Sequence, residues 1–284
     1  MRKTNLRCIG KFGCMRCPSS SKHIDLKRIM VKLERFSEEK ALVHEFGKYI
    51  LEKQDSALAD NADAVFNIAI SGGSMNQALY EGLVNDKDIF PHIKWPQWRI
   101  FFCDERLVPF EDPQSNYGQF KKIVLDPLVH QGDQLNLGPT VYTINESLIG
   151  GGETANKKIA EEYASLLPAS FDLILLGCGD DGHTCSLFPG VEYNYLVEEM
   201  ARKVLWCYNS PKPPKDRITF TLAVVADAKN VAFLVKGPSK KAIMHDVLIV
   251  KNSELPSVLV NEIVGAKVTW FLDDTAGALI PQNC

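Results

Sequence analysis

The sequence predicts an α/β fold: one domain with a mainly parallel sheet covered by helices on both faces. Three observations carry that expectation. Short apolar runs of strand length recur at 65–70, 99–103, 171–176, 230–235 and 268–272, stretches of helical periodicity separate them, and several end in Gly, Ser or acidic residues. Strands that alternate with helices need right-handed crossovers, and strands buried on both faces read as nearly continuous apolar runs. At 284 residues the chain suits a single domain with an extension, since one α/β core of ~250 residues is ordinary.

The extension is residues 1–28, which carry eight Lys or Arg against one acid, Asp25, with Ser19 to Ser21 in a row. This acid-poor leader has no apolar stretch of the secretory kind. It reads as a disordered tail or an organelle transit segment, and Met30 is an alternative start. Cys14 and Cys17 form a C-x-x-C near Cys8 and His23, but a second well-spaced ligand pair is missing, so no metal site is expected. Hydrophobic content of 45%, charged content of 24% and a net charge of −3 fit a globular protein with no electrostatic pull towards nucleic acid. No apolar run approaches the ~18 residues that span a bilayer. The eight cysteines are scattered, partly inside apolar runs, as in a reduced intracellular protein. The cytoplasm is the expected compartment, with an organelle as the alternative.

The domain, 29–284, opens with Ile29, Val31 and Leu33 alternating as a strand. Ser37 then precedes a helical pattern with Ala41, Leu42, Phe46, Ile50 and Leu51 on one face. Residues 65–70 form a buried strand that runs into Ser71-Gly72-Gly73-Ser74 before a helix over 75–84. Two glycines let the backbone approach an anion, and the following helix start offers unpaired N–H groups to a phosphate, although Gly- and Ser-rich loops after strands are common without one. The strand at 99–103 delivers Asp104-Glu105-Arg106, charges placed to face the same crevice or to pair at the surface. Helices follow after Ser115 and over 153–167, with a short strand at 141–144 between them.

The run Phe171 to Leu176 then breaks into Gly177-Cys178-Gly179-Asp180-Asp181-Gly182-His183. In an open α/β sheet, ligands sit outside the carboxyl ends of strands, which places Asp180, Asp181, His183 and Thr184 at a binding crevice. His183 is a candidate proton acceptor because imidazole titrates near working pH, and Asp181 is its candidate orienting acid. A strand-to-helix turn with a solvated Asp pair is the alternative. The stretch 210–217, SPKPPKDR, is stiff and basic, able to hold Arg217 or a lysine against a phosphate or to serve as an exposed connector. A helix start follows at Gly237, with Lys240 and Lys241. No G-x-S-x-G elbow is present, so a serine esterase is not indicated, and no dinucleotide cofactor is expected.

The blocks SGGS at 71–74, FCDERLVPF at 102–110, SNYG at 115–118, FDLILLGCGDDGHTCSLFPG at 171–190, SPKPPKDRIT at 210–219 and VTWFLDD at 268–274 occur in this order. Together they resemble the 6-phosphogluconolactonase family over about residues 30–284. The resemblance implies the Rossmann-like fold shared with glucosamine-6-phosphate deaminase and ribose-5-phosphate isomerase. It also implies hydrolysis of 6-phospho-D-glucono-1,5-lactone to 6-phosphogluconate, the second step of the oxidative pentose phosphate pathway, with no metal or organic cofactor. The partner expected is a small sugar-phosphate lactone, and the protein a monomer or weak homodimer.

Carried over by motif, His183 is the base and Asp181 orients it or a sugar hydroxyl. Gly72, Gly73 and Ser74 bind the phosphate with Arg106, Arg217 and Lys240 as cationic partners, and Lys241 leaves that register open by one. Asp104 positions Arg106 or a hydroxyl. A deaminase or isomerase of this fold would need a further acid after the D-G-H motif, and residues 184–188, TCSLF, contain none.

Overall fold

A computed structural model describes residues 31–131 and 138–281, except 60 and 62. The basic extension, with Cys8, Cys14, Cys17 and His23, lies outside the described residues, and so does Met30. Among the described residues ten strands are formed: β1 Lys32–Phe36, β2 Phe66–Ile70, β3 Trp98–Phe102, β4 Asp104–Arg106, β5 Thr140–Val141, β6 Leu173–Leu176, β7 Val204–Cys207, β8 Arg217–Phe220, β9 Val231–Val235 and β10 Val268–Asp273. Seven of them make one sheet in the order β1-β10-β9-β6-β2-β3-β5. Every neighbouring pair in it is parallel.

The period of two along each strand sorts the core. Leu173 and Leu175 face one apolar cluster with Ile68, Ile70, Ile100 and Phe102. Ile174 and Leu176 face the other with Ala69, Phe101, Phe233 and Trp270. The helix Glu39–Leu58 covers the first face through Leu42, Phe46 and Ile50, residues spaced to lie on one side of a helix. The helices Gly152–Leu166 and Pro256–Val264 cover the second through Ile159, Tyr163, Val258 and Val264. Fully burying such a side chain contributes ~1.5–3 kcal/mol, so both layers are needed to hold the central strands. No helix among the described residues is long and apolar enough to cross a membrane.

The structure departs from expectation in three places. Ser37 does not cap the first helix; Glu38, extended and without a side-chain cap bond, precedes it. The helix that begins at Ser74 ends in a π-helical turn, Tyr80–Val84, and the helix after Ser115 is interrupted by one at Lys121–Leu125. A second sheet, antiparallel in the order β4-β8-β7, stands beside the first. It starts where β3 ends: Cys103 accepts from Phe220 N at 2.8 Å, so the charged triplet 104–106 turns from the parallel sheet into this small one.

The order of the main sheet locates the ligand side. From β2 the chain moves outward through β3 to β5, whereas from β6 it moves the other way through β9 to β10. The switch lies between β2 and β6, and the crevice beyond the carboxyl ends of such strands is where α/β folds bind ligands. Both glycine-rich loops leave the sheet there.

Candidate active site

The loop after β6 is closed on itself. Gly179 N donates to His183 O at 2.9 Å and Gly182 N to Gly179 O at 3.0 Å. Gly182 O in turn accepts from Ser257 N at 3.1 Å and Ser257 Oγ at 2.9 Å, which ties the loop to a covering helix. Within it, His183 Nδ1 is hydrogen bonded to Asp181 Oδ1. Only glycine fits at 179, because a Cβ there would lie 2.0 Å from His183 Nδ1. The ring of Phe188 packs 4.8 Å from the imidazole. Nε2 makes no hydrogen bond among the described residues, so it is the nitrogen left for a ligand.

A third group joins the pair. Lys212 Nζ lies 3.4 Å from Asp181 Oδ2 and 3.4 Å from His183 Nδ1. Burial disfavours the charged form of Asp181, yet the His183 hydrogen bond, with the charges of His183 and Lys212, holds its carboxyl well below the usual carboxylate range. Lys240 reaches the same loop, donating to Cys178 O at 2.8 Å and pairing with Asp180 Oδ1 at 2.6 Å. The Lys240 bond lowers the Asp180 pKa.

The two acids of the charged triplet after β3 are buried rather than paired at the surface, Asp104 5% exposed and Glu105 2%, while Arg106 is partly exposed. Ser186 Oγ donates to Asp104 Oδ2 at 2.8 Å, and Asn116 Nδ2 donates to Asp104 O at 2.8 Å. Arg106 Nε and Arg217 Nη1 both lie 3.9 Å from Asp104 Oδ2. Glu105 accepts from the backbone N–H groups of Arg106, Asn116 and Tyr117 at 2.7, 2.8 and 2.8 Å. Burial pushes its carboxyl up to about 7, against the pull of those three donors.

Asn116 also sets the glycine loop. A Cβ on Gly72 would lie 1.9 Å from Asn116 Oδ1, so the loop packs directly on that amide. Gly73 and Ser74 follow, exposed, where the helix Ser74–Leu79 begins.

The structure therefore joins His183, Asp181 and Lys240 in one loop environment, and Gly72, Asp104, Arg106 and Arg217 in a second around Asn116 and Ser186. Phe188 connects the two, with His183 on one side and Arg217 Cζ 5.7 Å from its ring centroid. Arg217 is not on an exposed connector. It opens β8 and is 3% exposed. Lys212, Asn116, Ser186 and Phe188 were not singled out by the sequence. For Lys212 the signal was present, since it lies in the stiff basic stretch, but nothing local distinguishes it from Lys215 and Arg217.

With this geometry in view, a family model described as "Glucosamine-6-phosphate isomerases/6-phosphogluconolactonase" matches residues 37–270. The chain belongs to that family. It is 88% identical over 255 residues to 6-phosphogluconolactonase 4 of Saccharomyces cerevisiae, covering 90% of this chain and 100% of the relative. It is 49% identical over 247 residues to 6-phosphogluconolactonase 3 of the same yeast, covering 87% of this chain and 96% of the relative. Among solved structures, 6-phosphogluconolactonase from Leishmania guyanensis superposes with a TM-score of 0.72 at 24% identity, covering 89% of this chain and 99% of that one. The Trypanosoma brucei enzyme gives 0.71 at 24% identity, covering 89% and 99%. At that identity the structural neighbours speak to the fold alone, which they share.

Proposed function

We propose that this chain hydrolyses 6-phospho-D-glucono-1,5-lactone to 6-phospho-D-gluconate, the second step of the oxidative pentose phosphate pathway. The observation that carries the reading is the His183–Asp181 pair, with Nε2 free, at the switch point of a sheet whose neighbouring loop suits a phosphate. The 88% identical relative bears the name of this activity. Neutral His183 takes a proton at Nε2 from the water that attacks the lactone C1. The tetrahedral intermediate then breaks its bond from C1 to the ring oxygen, and the imidazolium returns the proton to that oxygen. Asp181, bonded at Nδ1, keeps the ring oriented and stabilises the imidazolium. Positioned acid/base chemistry of this kind is worth ~10²- to 10⁴-fold, enough for a lactone that already opens slowly in water.

The 6-phosphate is assigned to the N–H groups of Gly72, Gly73 and Ser74 and the Ser74 hydroxyl. Arg106 and Lys240 supply positive charge, Arg217 adds its charge to the same field, and Asp104 positions Arg106. No step requires a metal or an organic cofactor. The test generates the lactone enzymatically and follows 6-phosphogluconate formation against the spontaneous rate, with wild type and His183→Ala. Wild type accelerates the reaction, and the variant loses about two orders of magnitude or more. A wild type no faster than the spontaneous opening ends this reading, and a fully active variant removes His183 as the base.

A further inference from the structure

Arg217 is surrounded by acceptors that belong to the chain itself. Nε donates to Pro214 O at 3.0 Å, Nη2 to Lys212 O at 2.9 Å and to Pro213 O at 3.1 Å, and Nη1 to Ser186 Oγ at 3.4 Å. Three consecutive carbonyls of one loop thus converge on one guanidinium, a use that its planar fork of five donors permits and a single ammonium does not. Ser210 holds the same point from the other side: its Oγ donates to Lys212 O at 2.7 Å and accepts from Lys212 N at 3.2 Å. The residue whose backbone is fixed in this way is the one whose side chain reaches the Asp181–His183 pair.

We propose that Arg217 is a positioning residue, not a hydrogen-bonding phosphate ligand: it gathers the carbonyls of 212–214 and so presents the Lys212 ammonium to Asp181 and His183. The inference rests on the assignment of His183 as base. A cation 3.4 Å from Asp181 Oδ2 and from His183 Nδ1 fixes the carboxylate that orients the ring and adds its charge to the field in which the proton moves. The other charged or titratable groups around the pair are Asp180, Cys178, Tyr193 and Lys240; those around Arg217 are Asp104, Arg106 and Cys207.

The test is a double-mutant cycle with Lys212→Ala, Arg217→Ala, Arg217→Lys and the Ala double variant, assayed for lactone hydrolysis across pH. Each single Ala variant is expected to lose about tenfold in kcat/KM near neutral pH, with the double variant no worse than either. In all of them the acidic limb of the profile shifts from its wild-type position. Arg217→Lys behaves like Arg217→Ala, and added guanidinium ion restores activity to Arg217→Ala but not to Lys212→Ala. Additive losses, or an unmoved acidic limb with weakened inhibition by inorganic phosphate, overturn the proposal and return Arg217 to the phosphate.

Should Arg217→Ala not fold, Arg217→Lys decides: wild-type rates and an unmoved limb overturn it. NMR titration of the His183 imidazole in wild type, Lys212→Ala and Arg217→Lys reads the same effect without substrate. It therefore separates this proposal from a failure of the lactonase reading, and an imidazole titration that neither variant moves refutes it.

Discussion

Two acid-rich turns leave neighbouring parts of the same sheet, one after β3 and one after β6, and they are built in opposite ways. Asp104 and Glu105 are 5% and 2% exposed, and their oxygens are taken up by Ser186, Asn116 and the backbone N–H groups of residues 106, 116 and 117. Asp181 keeps 35% of its side chain exposed and His183 17%, and their partners are each other and a half-exposed lysine. The carboxylates of the first turn have their hydrogen bonds before any ligand arrives, so they form a frame, and only Arg106 Nε of that turn is buried without a hydrogen-bond partner. The second leaves an imidazole nitrogen open, so it can exchange a proton. Residue type does not separate the two sets of acids; the burial and saturation of their carboxylates do.

Removing the key residue of each turn should give opposite signatures. His183→Ala is expected to lower turnover by about two orders of magnitude or more while its thermal midpoint stays close to wild type, because the deleted ring leaves no buried partner starved except through Asp181, which water can reach. Glu105→Ala is expected to cost stability instead, about 3 kcal/mol, since three buried N–H groups lose their acceptor. Urea denaturation of both variants beside the lactone assay checks the contrast. A Glu105→Ala protein as stable as wild type would mean that the frame is not held by this carboxylate.

How much of this was legible depends on whether the relevant partners are near in sequence. The strand β6 and its loop were legible because Leu173–Leu176 are apolar on both faces and Asp181 and His183 stand two residues apart, so their contact is local. The second sheet was not. Its strand β4 is Asp-Glu-Arg, which reads as a solvated charge run, and becomes buried only because Asn116 and Ser186 arrive from elsewhere in the chain. The strand β8 begins with an arginine behind three prolines, a pattern that reads as a loop end. Its register places Arg217 opposite Arg106, with Asp104 facing both cations. Which cation of that basic stretch meets the His183 loop is likewise a matter of tertiary register, and Lys212, not Arg217, does so.

A smaller change sharpens the comparison inside the reactive turn. In Gly179→Ala the new methyl would sit 2.0 Å from His183 Nδ1, so the ring must shift out of its bond to Asp181. Misplacing the proposed base should cost catalysis more than folding; kcat should fall about tenfold with KM little changed and stability reduced by less than in Glu105→Ala. Steady-state kinetics at saturating lactone check this, and an unchanged kcat would show that the ring's position is not set by the loop.

The smallest effect is a pH dependence in the exposed turn, opposite in sign to the one that Glu105, raised on folding to about 7, gives the buried turn. Asp181 has a carboxyl pKa lowered on folding, by the His183 hydrogen bond and the charges of His183 and Lys212 acting against burial. The folded protein therefore binds that proton less readily than the unfolded chain. The interaction stabilises the fold above the unfolded pKa of about 4, and is lost as pH falls towards the lower folded value. Asp181→Asn should thus melt below wild type near neutral pH, and the gap should close on acidification. Because the side chain is 35% exposed, solvent screens the pair and the gap at neutral pH should be no more than about 2 °C. Thermal melts of both proteins across this range read it directly. A gap that widens towards low pH would mean that the carboxylate is strained rather than stabilised by its partners, and the orienting role given to Asp181 would fall with it.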